Sequence, residues 1–198
     1  MGGSMKDKNV GNVFYKVEVY DKDGKLIEEK SGKGDSVLNN WIVIFASIRD
    51  GTRPAMMDQE GNLHYLSQIV FENCSMKAPA GNDSYGILVG TGTTPVDLGD
   101  TKLASKISHG TGSGQLNYGD TSEYGETSDL TRSEGLQRSF DNNSGADITI
   151  NEIGMAMKVN DGSNDYYVLI ARDVISATTV PDGGRVTVKY WFRWNPSS

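Results

Sequence analysis

The chain has 198 residues, enough for one domain whose hydrophobic core needs no disulfide or metal. Its net charge of −7, from 19 basic and 26 acidic residues, disfavours a protein that binds nucleic acid or an anionic membrane. A single cysteine excludes an intramolecular disulfide. No apolar run approaches the ~18 residues of a membrane span, and the start lacks the apolar stretch of a secretory signal. We therefore expect a protein that stays in the cytoplasm of the producing cell until lysis.

The N-terminal part of the chain predicts an arm followed by a hairpin. Residues 1–11 are polar and glycine-rich, which indicates an arm ahead of a single β-rich domain over 12–195. The run 13–20 alternates between apolar and polar residues for most of its length, and 25–29 is also strand-like. Because the Asp-Gly step of residues 21–24 separates these two runs, we predict a tight hairpin there.

A change of period then predicts one helix. Apolar residues recur at helical spacing over about 36–49, and Ser36 is a suitable N-cap. The pattern returns to strands afterwards, with a second hairpin over 55–72 that turns at 60–62 and a short apolar strand over 85–90.

A polar, glycine-rich stretch over about 96–130 predicts a long loop-rich insertion. Its scattered apolar residues include Leu103, Ile107 and Leu116. So long a stretch without regular structure is unusual in a compact domain, which favours a functional loop or a segment that orders on assembly. We therefore predict that contacts between subunits lie here.

The last third of the chain carries the strongest strand signals, over 134–140, 148–157, 166–171 and 185–194. Alternation over the last run predicts one buried and one solvated face. Trp191 falls on the solvated face, where it is either incidental or part of an interface. Together these signals predict a mainly β fold, an antiparallel, jelly-roll-like β-sandwich with one α-helix packed on it.

No group of residues predicts catalysis, a cofactor or a metal. Gly90 and Gly92 follow an apolar strand, but the third glycine of a dinucleotide fingerprint is absent. Two distant histidines and Cys74 do not supply a zinc site. Close acidic pairs such as Asp58 with Glu60 are expected by chance in so acidic a chain. We predict a non-enzymatic protein, with a small hydrolase as a distant alternative.

A set of sequence blocks, taken in order, matches the pattern of one known family. The blocks are 85–95, Leu103, 107–110, 114–118, 140–154, 167–173 and 180–183. Together they resemble a family of structural proteins of tailed-bacteriophage virions. The similarity covers most of residues 12–194 and departs from the family at 155–157, where such proteins usually carry Leu-Tyr.

The resemblance implies a virion protein that is assembled in the host cytoplasm from copies of itself and other virion proteins, with tail or neck favoured. It carries over no catalytic residues. The alternatives are a capsid decoration protein, or a carbohydrate- or receptor-binding module that would use exposed aromatic side chains such as Trp191 or Tyr118 as stacking platforms for a host-surface glycan. As interface residues we predict Trp191, Tyr118, Leu116, Leu103 and Ile107. We also predict that Glu152, a carboxylate within a strand, pairs with Arg172.

Overall fold

A computed structural model describes residues 12–34, 37–50, 55–65, 74–128, 131–160 and 163–194. Most of these residues lie in two antiparallel sheets. The five-stranded sheet has the order β2-β1-β10-β7-β6, formed by β1 Asn12–Tyr20, β2 Leu26–Gly34, β6 Asn117–Ser128, β7 Thr131–Asp141 and β10 Arg185–Trp194. The three-stranded sheet has the order β5-β8-β9, formed by β5 Gly86–Gly90, β8 Ile148–Asn160 and β9 Asp165–Val180.

The two sheets share one hydrophobic core. Alternate residues of β7 and β10 are buried, as expected where one face of the sheet packs on the other sheet, whereas the middle parts of β8 and β9 are buried on both faces. A polar contact also joins the sheets, because the Tyr190 hydroxyl of β10 donates a hydrogen bond to the buried Asp173 carboxylate of β9. Burial, followed by the nearby Asp173 charge, raises the pKa of Tyr190 well above its ordinary value. The predicted fold class, a mainly β antiparallel sandwich with one helix, is confirmed.

The helix and a small hairpin cover one edge of the three-stranded sheet. Helix α1 spans Asn39–Asp50, so it starts later than the predicted 36–49, and Ser36 lies outside the described residues. The Asn40 side chain donates to the Leu169 carbonyl of β9 at 3.1 Å, which ties the first turn of the helix to the sheet. The hairpin comprises β3 Ala55–Met57 and β4 Leu63–Tyr65.

Both predicted hairpins are present. The first turns where expected, because the Asp21 side chain accepts hydrogen bonds from the backbone N–H groups of Asp23 and Lys25. Gly24 closes this turn with a φ of 77°, a conformation that side chains disfavour. The second hairpin is confirmed over 55–65, while the rest of its predicted range and the predicted arm at 1–11 lie outside the described residues.

The predicted loop-rich insertion over 96–130 is wrong in its second half. Residues 117–128 form β6, a twelve-residue strand at the edge of the five-stranded sheet. Its sequence is polar on both faces and shows little apolar alternation. This segment is a strand because it pairs with β7, and its local sequence does not encode that pairing.

Candidate functional site

The predicted interface residues are buried within this chain, and four of them, all but Trp191, lie in its hydrophobic core. All five are at most 7% exposed, so the prediction that their side chains present a surface to a partner is corrected. Tyr118 shows why: its hydroxyl donates to the Ile107 carbonyl at 2.5 Å, and its ring meets Phe140 edge to face. Burial raises the pKa of this phenol above its ordinary value. Leu103 packs at Gly154, where a side chain would collide with it.

Trp191 lies on the outward face of β10, as its position in the alternation predicts, yet it is only 7% exposed. The prediction of an exposed tryptophan is therefore wrong. Phe14 stacks on the indole with a centroid distance of 6.0 Å, and Tyr124 meets it edge-on at 5.3 Å. Opposite it on β7 is Gly135, where an added Cβ would lie 2.4 Å from the Trp191 Cβ. A glycine within a strand pattern was the available signal for this close approach.

A buried ion pair holds the loop that follows β5. The Arg172 Nε donates to the Glu152 Oε2 at 2.9 Å, and both side chains are at most 1% exposed, which confirms the predicted pairing. The Glu152 carboxylate also accepts the backbone N–H groups of Gly92, Ala104 and Ser105, at 3.1, 3.0 and 2.7 Å. One carboxylate thus binds both ends of the loop.

The guanidinium of Arg172 binds the middle of the same loop. It donates to the Asp100 carboxylate at 2.7 Å and to the Thr94 carbonyl at 2.9 Å. Burial favours a lower pKa for Arg172, but its hydrogen bonds to Glu152 and Asp100 outweigh this effect and the pKa is raised. Residues 91–105 are therefore fastened to the three-stranded sheet by charged hydrogen bonds.

Arg138 is a second buried cation, which sequence reasoning missed. It is 1% exposed and lies 4.7 Å above the Tyr118 ring centroid. Burial lowers its pKa to about 10. The available signal was its place between Leu136 and Phe140 on the buried face of β7. It donates hydrogen bonds to the carbonyls of Pro79, Asn82, Tyr85, Ile87 and Gly119.

A carboxylate–imidazole pair closes the turn of the β3–β4 hairpin. The His64 Nε2 lies 2.6 Å from the buried Asp58 Oδ2, and the His64 ring packs on Tyr166 with a centroid distance of 3.8 Å. Asp58 also accepts the backbone N–H groups of Glu60 and Asn62. Burial favours a higher pKa for Asp58, but hydrogen bonds from His64 and Asn62 prevail and lower it. The pair acts as a cap for this turn.

The edges of the three-stranded sheet are covered by other segments of the chain. At β5, backbone hydrogen bonds join Thr91 to Ser105 at 2.8 Å and Ile107 to Val89 at 3.0 Å. At β9, the backbone N–H groups of Leu38 and Gln59 donate to the carbonyls of Ile170 and Tyr167, at 2.9 and 3.1 Å. Neither edge is left free along these stretches.

Among the described residues, most of each edge of the five-stranded sheet is open. β2 pairs only with β1. β6 pairs with β7 and also forms two backbone hydrogen bonds with residues 78–81, from Thr121 to the Ala78 carbonyl at 2.8 Å and from Gly81 to the Tyr118 carbonyl at 2.9 Å, which leaves 122–128 open. The β2 edge is nine residues long and includes Leu26 and Ile27, which are 44% and 51% exposed. A long, open edge with exposed apolar residues is a template for another strand.

The described residues contain no group of three or more His, Cys, Asp or Glu side chains arranged to hold a metal ion, and no helix long and apolar enough to cross a membrane. Comparisons with known proteins find no matching family model, no similar curated protein and no similar solved structure.

Proposed function

We propose that the protein is a non-enzymatic structural subunit of a tailed-bacteriophage particle, in the tail or neck, that binds copies of itself and other virion proteins. The observation that carries the proposal is the open edge length of the five-stranded sheet. Among the described residues, the whole of β2 and residues 122–128 of β6 have no strand neighbour on their outer side, whereas other segments of the chain bind β5 and residues 167–171 of β9. The resemblance of the sequence blocks to phage structural proteins points the same way.

Open edges suit assembly because an added strand satisfies their backbone N–H and C=O groups. The two edges, β2 and β6, lie at opposite ends of one sheet. When two different surfaces of one protein meet, the contact is heterologous, and its repetition produces a ring or a helical array. Such arrays are compatible with a tubular tail or neck.

The buried charges support a structural role. The side chains of Glu152, Arg172 and Arg138 form their hydrogen bonds with backbone groups, with one another or, for Arg172, with Asp100, and so hold long loops in place. Catalytic charges, in contrast, act on a substrate in an accessible cleft. A subunit built this way keeps a constant shape for its neighbours.

Assembly is tested with Ile27→Lys, because a lysine on an edge strand opposes strand addition. The matched control is Ile42→Lys on the exposed face of α1, where the isoleucine is 55% exposed and lies on no sheet edge. Light scattering across a concentration series should show oligomers for the wild type and the control, and a monomer for Ile27→Lys. A wild type that stays monomeric at the highest concentration contradicts self-assembly.

The place in the particle is tested separately, by imaging the phage that encodes the chain and fitting the two sheets to its density. Density in the tail or neck supports the proposal, and density on the capsid surface replaces it with a decoration role. A purified particle that lacks the chain contradicts a virion role altogether.

A further inference from the structure

The outward face of the five-stranded sheet contains an open groove of about 770 Å³, within the size range of small-molecule sites. Its floor is formed by the short side chains of Ser139 and Thr187, whose hydroxyl oxygens are 2.9 Å apart. A register shift on each flank, at Val19/Tyr20 and at 118–121, accompanies the groove, and such bulges increase strand twist and bend a sheet.

The lining of the groove is polar and close to electrical balance. Four of its residues are acidic and four are basic, but the Arg138 guanidinium is buried on the other face of β7. The groove therefore presents four acids and three bases, and neither a polyanion nor a polycation is favoured. Several of these charges are already paired, as in Lys189 with Glu18 at 3.0 Å and Arg185 with Asp141 at 2.5 Å. The charged residues of the lining are Glu18, Asp21, Lys22, Asp120, Arg138, Asp141, Arg185 and Lys189.

Aromatic side chains adjoin this polar lining. Tyr20 lines the groove directly, and the ammonium of Lys189, another lining residue, lies 5.4 Å from the Tyr124 ring centroid. Tyr20 and Tyr124 are both partly exposed. Tyrosine offers an apolar ring together with a hydrogen-bonding tip, a combination suited to ligands with both polar and apolar faces.

We infer that this groove binds a short, uncharged oligosaccharide. Sugar hydroxyls both donate and accept hydrogen bonds, so they can use the acids, the bases and the Gln137 amide without a net charge of their own. The C–H faces of the sugar rings would pack on Tyr20 and Tyr124. This inference goes beyond the structural role, and it replaces Trp191 and Tyr118, which are buried, as the glycan-contacting aromatics.

The first test fills the groove without removing a charge. Ser139→Phe places a ring on the floor, and Thr149→Phe is its matched control. Thr149 is also partly exposed and forms a cross-strand hydroxyl pair, with Thr179 at 3.1 Å, on the three-stranded sheet. The probes are short neutral oligosaccharides of glucose, galactose, mannose and N-acetylglucosamine, titrated into isotope-labelled protein while the groove amides are followed by NMR.

The expected result is saturable shifts at the groove amides for at least one probe, with binding abolished in Ser139→Phe and retained in Thr149→Phe. A second pair of variants tests binding with a smaller change that is less prone to cause misfolding. Gln137→Ala removes one side-chain amide from the groove and should weaken binding about tenfold, whereas Gln115→Ala, in a loop outside the groove, should not.

Three outcomes overturn the inference: no groove shift with any probe, shifts that survive Ser139→Phe, or binding only to charged polysaccharides. A particle map in which a neighbouring subunit fills the groove also overturns it, because the face would then be a protein interface. The proposed assembly role is judged by light scattering of the edge variants, so either idea can fail without the other.

Discussion

The two sheets of this protein differ in where their ion pairs lie. In the three-stranded sheet, the Glu152–Arg172 pair is withdrawn from water and bonded to the loop over 91–105, and neighbouring segments cover part of each edge. In the five-stranded sheet, ion pairs such as Arg185–Asp141 stay on a solvated face, and most of each edge is open among the described residues. This difference underlies both proposals, in which one sheet serves as scaffold and the other carries the surfaces for partners and ligands.

The largest expected effect is in the scaffold sheet. Arg172→Met leaves the Glu152 carboxylate buried without its cation, and breaking a buried pair in this way costs about 3–5 kcal/mol. Urea unfolding measures the loss, and hydrogen exchange should show faster opening of residues 91–105. The double variant with Glu152→Gln should recover part of the stability. Equal costs for the single and double variants would contradict a coupled pair.

A smaller loss is expected where the two sheets meet. Tyr190→Phe removes one donor from the buried Asp173 carboxylate, and depriving a buried polar group of a partner costs about 1–3 kcal/mol. Thermal or urea unfolding of both proteins gives the difference. Tyr20→Phe is the control, because its hydroxyl contact with Glu18 is only partly buried. A loss no greater than that of the control would contradict a structural bond between the sheets.

Acid should open the segment that covers the β9 edge. The folded-state pKa of Asp58 is below its ordinary value of 3.8, so its contribution to stability is full above that pH. The contribution is lost as the pH falls through the folded-state value. The hydrogen-exchange protection of the β3–β4 hairpin, taken relative to the intrinsic exchange rate at each pH, should therefore fall in acid before the rest of the fold opens. Asp58→Asn should show fast exchange already at neutral pH, and a hairpin that keeps its protection in acid would contradict this role.

The smallest loss of stability is expected in the five-stranded sheet. Arg185→Met breaks a pair with Asp141 whose arginine side chain is 56% exposed, and such surface pairs contribute about 0–1 kcal/mol. Urea unfolding at low and high salt measures this contribution, which salt should reduce further. A loss as large as that of Arg172→Met would erase the distinction between the two sheets.

The residues that sequence reasoning placed correctly share one property: their signal is local. The Asp-Gly turn at 21–24, the alternation of β10 and the short apolar β5 are each encoded within about ten residues, and each is present. The Glu152–Arg172 pair could also be predicted from the sequence, because a carboxylate in a strand of buried residues needs a cation nearby.

The residues whose environment the sequence predicted wrongly are positioned by contacts with residues far away in the chain. Trp191 is buried because Phe14 and Tyr124 are brought beside it from other strands and because Gly135 leaves room. β6 is a strand because β7 pairs with it. Neither the burial of Trp191 nor the pairing of β6 produces a periodic pattern in the local sequence. Alternation alone therefore predicted an exposed tryptophan and a long loop.

By itself, the sequence determined that the chain is mainly β, where most of its strands and turns lie, and that one helix interrupts them, because side-chain period and turn chemistry act between near neighbours. Only the tertiary structure decided that β10 enters between β1 and β7, which parts of the sheet edges other segments cover, and that a groove crosses the five-stranded sheet. These features arise from pairings between residues far apart in the chain, whose free energy depends on the whole packed arrangement.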